Sequence, residues 1–104
     1  MSRLADSIGR PALLEQLAEE SVELAHAALK LARKLRGESP TPARKETLIE
    51  HLMEEIADVD VMLSELADTE IYDGEEVVRM RGIKTRRWES RIGEMNKDND
   101  KDKT

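Results

Sequence analysis

The sequence predicts an all-α protein, an antiparallel bundle of three main helices behind a short N-terminal turn, completed by oligomerisation. Two features of the chain carry this. Charged residues make up 38% of the 104 and aromatics only 2%, with one Trp, one Tyr and no Phe, a composition of helix formers with little core of its own. Apolar residues also recur at three- and four-residue spacing over long stretches separated by glycine and proline.

The elements follow in order. Residues 2–9 are short and polar and end at Gly9, which fits one turn or a loose arm. Pro11 suits the first turn of a helix, where its missing N–H costs nothing. From Pro11 to about Arg36, Leu14, Leu17, Ser21, Leu24, Ala28, Leu31 and Leu35 form a stripe, and Lys30, Arg33, Lys34 and Arg36 suit the C-terminal end of the dipole. Gly37 stops this helix, and Glu38 to Pro42 reads as a loop by its prolines. Thr41 and Pro42 open a second helix with a stripe of Leu48/Ile49, Leu52, Ile56, Val59, Leu63 and Leu66, fading at Ala67 to Thr69. Asp73-Gly74 marks a turn with Asp73 as a candidate cap. A third helix runs from about Glu75 to Met95, weakened by Gly82, with Val77, Met80, Lys84, Trp88 and Ile92 inward. The helical domain is therefore expected over residues 1–95, with 96–104, which lack any apolar residue, as a disordered polar tail.

Composition excludes several functions. Without cysteine there is neither a disulfide framework nor a thiolate metal site. A net charge of −6 argues against nucleic acid as the main partner, because phosphate contacts need a basic footprint. No apolar run reaches the roughly 20 residues that span a bilayer, and Met1 to Asp6 hold too short an apolar segment for a secretory signal. A cytoplasmic protein is the expectation. So small a domain with so few large side chains buries a modest core, which predicts that further copies of the chain supply the rest. Dimer and tetramer both fit.

Two acidic stretches echo each other, Glu19-Glu20-Ser21-Val22-Glu23 and Glu54-Glu55-Ile56-Ala57-Asp58. With Leu17 at the centre of the first stripe, Glu20 falls at roughly 300° and Glu23 at roughly 240°; with Leu52 as centre, Glu55 and Asp58 take the same angles. Glu19 and Glu54 sit at roughly 200°, on the polar side. A random glutamate on a helix is usually solvated. Glu20 and Glu55 differ because they lie within the apolar arc, where an unpaired carboxylate costs several kcal/mol unless a proton, a cationic side chain or a metal compensates it. Four acids converging from two helices demand more positive charge than one or two basic side chains supply, so hard divalent cations with oxygen ligands fit better. Mg²⁺, or Mn²⁺ in its place, is held by a few carboxylates plus substrate phosphates, which is how an acidic protein binds a nucleotide.

Helix three carries the basic residues. Lys84 shares the face of Met80 and Trp88, and Arg87 follows at its edge; both suit phosphoryl oxygens. Arg91 reads as snorkelling over a helix interface. His26 and His51 each sit one turn from an acidic pair and read as surface histidines, since the Glu-x-x-His unit of Glu23 and His26 has no second copy.

At these residues the chain resembles the MazG-like, all-α nucleotide pyrophosphohydrolases, related to the dimeric dUTPases, whose signature is EExxE followed by ExxD. Here it reads Glu19-Glu20-Ser21-Val22-Glu23 and Glu55-Ile56-Ala57-Asp58, and Lys84-Thr85-Arg86-Arg87-Trp88 looks like the basic segment that follows them. The likeness covers about residues 12–92, with a gap between the half-motifs slightly longer than the family's usual range, absorbed by the Gly37–Pro42 loop. It implies Mg²⁺-dependent hydrolysis of a (deoxy)nucleoside triphosphate to the monophosphate and pyrophosphate, a house-cleaning activity on the nucleotide pool. By position it implies Glu20, Glu23, Glu55 and Asp58 as metal ligands and Glu19 or Glu54 as the group that orients or deprotonates the attacking water. The rival reading is a non-enzymatic helical interaction module whose acids only make salt bridges. A carboxylate-bridged iron protein is a weaker third.

Overall fold

The computed structural model describes residues 3–38 and 42–102, with backbone alone for Arg3 and residues 100–102. Its described elements are helices only: α1 (Arg3–Ile8), α2 (Arg10–Arg36), α3 (Lys45–Ala67) and α4 (Gly74–Asp102). The chain divides into two compact units, Met1–Tyr72 and Asp73–Thr104, so the break falls at the Asp73-Gly74 turn. The sequence places its domain end later, at Met95.

In the first unit α2 and α3 form a helical hairpin, with α1 against both. Gly9 joins α1 to α2 at φ 86°, a backbone conformation natural to glycine. It donates its N–H to the Ala5 carbonyl at 2.9 Å and accepts the Leu13 N–H at 3.1 Å, so the ladder continues across the bend. Pro11 sits at the start of α2, as its missing N–H predicts. The bend buries Ala5 and Leu13 against Met62 of α3, with Leu4, Leu17 and Leu66 packed around them. Burying Leu13 contributes roughly 1.5–3 kcal/mol. Arg10 ties this end together, donating Nε to Glu70 Oε2 at 2.9 Å and Nη1 to Asp6 Oδ1 at 3.4 Å. The Arg10 hydrogen bond holds the Glu70 carboxyl below its usual value.

Gly37 ends α2 in the left-handed conformation, φ 73°. Its N–H donates to the Lys34 carbonyl, and that of Glu38 to the Arg33 carbonyl, each at 3.1 Å, which satisfies two orphan carbonyls of the last turn. The second helix begins at Lys45, a few residues beyond the start expected at Thr41-Pro42; Thr41 itself, with the loop positions 39 and 40, lies outside the described residues. Its end is closed by Thr69, which is buried and donates Oγ1 to the Leu66 carbonyl at 2.7 Å.

The second unit is α4. Asp73 caps it as anticipated, its Oδ1 accepting the Glu76 N–H at 3.1 Å. Arg91 lies over Trp88, 5.3 Å from the ring centroid. The helix continues through 96–102, where composition predicts a disordered tail. No Gly or Pro follows Gly93 before Asp102, so nothing in this polar stretch interrupts the backbone ladder of α4.

Replacing Gly37 tests the loop geometry. A Cβ there meets nothing within 4 Å, so the cost of Gly37→Ala is conformational, about 1 kcal/mol. Thermal unfolding should show a lower Tm. An unchanged or higher Tm would contradict the left-handed stop.

Candidate metal centre

The register of the hairpin brings the acidic stretches together. Leu13 of α2 clusters with Met62 of α3, and ten residues further along α2 Glu23 hydrogen-bonds with Glu55, seven residues earlier on α3, so the helices run antiparallel. One carboxylate oxygen each from Glu20, Glu23 and Glu55 lies within 4.8 Å of the others. Glu20 and Glu55 are half-buried while Glu23 is exposed and reaches in.

Electrostatics makes this grouping expensive. Gln16 donates Nε2 to Glu20 Oε1 at 2.9 Å, fixing that side chain. The other oxygen of Glu20, and one of Glu55, are buried without any hydrogen-bond partner. The Glu55 carboxyl is pushed above its usual value first by burial, then by the negative charges of Glu23 and Asp58, a hydrogen bond with Glu23, and the charge of Glu20. Carboxylates that must share a proton or a cation behave in this way.

The ion pairs found among the described residues leave these acids out. Arg10 pairs with Asp6 and Glu70, Arg36 with Glu38, Arg44 with Glu46, and Arg79 with Glu76. The compensation offered by the salt-bridge rival is therefore not found at Glu20, Glu23, Glu55 or Asp58 in this part of the chain. The donor set fits a hard divalent ion: all oxygen, all carboxylate, with two buried oxygens lacking a partner.

The remaining expected residues fall in different places. Asp58 is exposed and stands outside the tight trio, though Glu55 feels its charge. Glu54 is exposed and lines the same cavity as Glu23 and Glu55. Glu19 lies on an open patch of α2 with Ala18, Val22, Glu23 and His26. Lys84 and Arg87 are exposed on α4. His26 and His51 are exposed, as the wheel implies, yet both line the cavity together with Lys30. Taken one helix at a time they look peripheral; only the pairing of α2 with α3 shows that they share a cleft.

Glu55 gives a pH test. A carboxyl whose folded pKa is raised contributes stability that is complete below its unfolded value and is lost as pH rises through the raised one. The metal-free protein should therefore lose Tm through this group as pH rises above the ordinary carboxylate range. Glu55→Gln removes the charge, so it should raise the metal-free Tm at neutral pH and flatten that part of the profile. A variant no more stable than the parent at neutral pH would contradict the assignment.

No protein-family model, curated protein or solved structure matches the chain.

Proposed function

We infer that the protein is a Mg²⁺-dependent nucleoside triphosphate pyrophosphohydrolase, cleaving a (d)NTP to the monophosphate and pyrophosphate. The observation that carries this reading is the Glu20–Glu23–Glu55 cluster with its two partnerless buried oxygens. A cation relieves the like-charge crowding of such a cluster, and in an acidic chain that cation is also the means of holding a polyphosphate.

Glu20, Glu23 and Glu55 would hold the ion, with Asp58 completing the set from the next turn of α3. When bound, Mg²⁺ supplies charge neutralisation at the phosphoanhydride and acidification of water. The chain's own contributions are positional. Gln16 holds Glu20, and the α2–α3 packing holds Glu55 against Glu23. Of the two candidates for orienting or deprotonating water, Glu54 is favoured, because it lines the cavity beside the cluster whereas Glu19 lies on the open patch of α2. Lys84 and Arg87, a point charge and a guanidinium fork, are the proposed phosphate contacts on α4.

Assembly with further copies belongs to the same reading. Val22, Leu29, Met53 and Val61 of the hairpin are each more than half exposed, apolar surface that a second copy would cover. Among the described residues no helix is long and apolar enough to cross a membrane. The iron alternative is disfavoured by a cluster made of carboxylates alone, without His26.

Two measurements test the reading. Mg²⁺ at 100 times its Kd should stabilise the protein by about 2.7 kcal/mol, an effect lost in Glu20→Gln and Glu55→Gln. A panel of nucleoside triphosphates with Mg²⁺ should release pyrophosphate, and Glu20→Ala or Asp58→Ala should slow release by at least roughly 10–100-fold. Absence of cleavage across the panel, with metal affinity unchanged in both variants, would overturn it.

A further inference from the structure

The α2–α3 cleft is bipolar. Because the helices run antiparallel, one end of the cavity carries Glu23, Glu54 and Glu55, and the end nearer the connecting loop carries His26, Lys30 and His51. On α2, His26 and Lys30 stand three and seven residues beyond Glu23, about 4.5 Å and about 10 Å along the axis. Among the described residues none of His26, Lys30 and His51 has an ion-pair partner. Three nitrogen-bearing side chains thus line one end of a cleft whose other end gathers acids.

The cavity measures about 260 Å³, below the roughly 300 Å³ at which small-molecule pockets begin. It is too small for a whole nucleotide but suits a few phosphoryl groups. Lysine donates as a point charge, and imidazole nitrogens donate as well, which matches phosphoryl oxygens. The apolar lining is limited to Ala27 and Leu48, leaving no room for an apolar ligand to be the main occupant.

We propose that His26, Lys30 and His51 form a polyphosphate subsite, which receives the phosphoryl groups of the substrate beyond those held at the acidic end. This rests on the metal-clamp reading for the acidic end but assigns separate residues to a separate step of binding. It specifies how the phosphate chain lies: along the α2–α3 groove, from the carboxylates toward the loop, with base and sugar outside this cavity.

Inorganic pyrophosphate is the direct probe, with a non-hydrolysable nucleoside triphosphate analogue alongside it, both measured by calorimetry in Mg²⁺. The triple variant H26Q/K30A/H51Q changes exposed side chains only, and circular dichroism checks that it remains helical. Its Mg²⁺ affinity should stay close to that of the parent while its pyrophosphate affinity falls by about tenfold or more. Parallel loss for the analogue means that the subsite takes the nucleotide's own phosphate chain; loss for pyrophosphate alone means that it holds the free product. Pyrophosphate affinity equal to the parent's would overturn the proposal, as would failure of the parent to bind pyrophosphate at all. A second background separates this from failure of the metal clamp. In E20Q/E23Q/E55Q, which removes the acidic charge, pyrophosphate should bind without Mg²⁺ and still depend on His26, Lys30 and His51. If it binds there independently of them, the subsite is wrong whatever the metal does.

Discussion

Like-charge crowding between two helices is the constraint on which the rest depends. Glu20, Glu23 and Glu55 bring carboxylate oxygens within 4.8 Å of one another, and two of their oxygens are buried without a hydrogen bond. Hydrophobic packing of α2 on α3 imposes this arrangement. Leu17 and Leu66 pack on the core formed by Ala5, Leu13 and Met62, and the same register that buries them sets Glu23 beside Glu55. The unfavourable contact is thus held in place by favourable ones elsewhere in the hairpin. A site of this kind is selective for what relieves it: a proton, or a cation bearing oxygen-seeking charge.

The same hairpin explains why the cleft has two characters. Antiparallel pairing places residues that follow the acids on α2 opposite residues that precede the acids on α3. His26 and Lys30 therefore share an end with Leu48 and His51, while Glu54 stays with the acids. Charge separation along one groove suits a ligand that is itself anionic and extended, part of it reached through a cation and part through direct donors. A compact apolar ligand would gain little from it.

Much of this was legible in the sequence because helical periodicity is local. The stripe through Leu17 and the stripe through Leu52 place Glu20 and Glu55 at the inner edge and Glu19 and Glu54 outside it, and the structure has the first two half-buried and the second two exposed. Gly37 as a stop and Asp73 as a cap depend on backbone chemistry within a turn, and both are found. What was not legible depends on pairing between elements. A wheel assigns His26 and His51 to the surface but cannot show that they face one cavity. It gives Glu23 and Asp58 equivalent places, whereas packing draws Glu23 to Glu20 and Glu55 and leaves Asp58 outside the trio. Likewise the bend at Gly9, which buries Ala5 and Leu13, follows from a positive φ that composition alone does not signal. The helix runs on through 96–102, a polar stretch without a residue that breaks its ladder.

A cation held by Glu20, Glu23 and Glu55 must displace the proton that the raised Glu55 carboxyl retains. Proton release on titrating the metal-free protein with Mg²⁺, followed in weakly buffered solution at mildly acidic pH, measures that exchange directly. Binding should saturate and be accompanied by proton release, with the release lost in Glu55→Gln. Saturable binding without protons released, or no saturable binding at all, would contradict it.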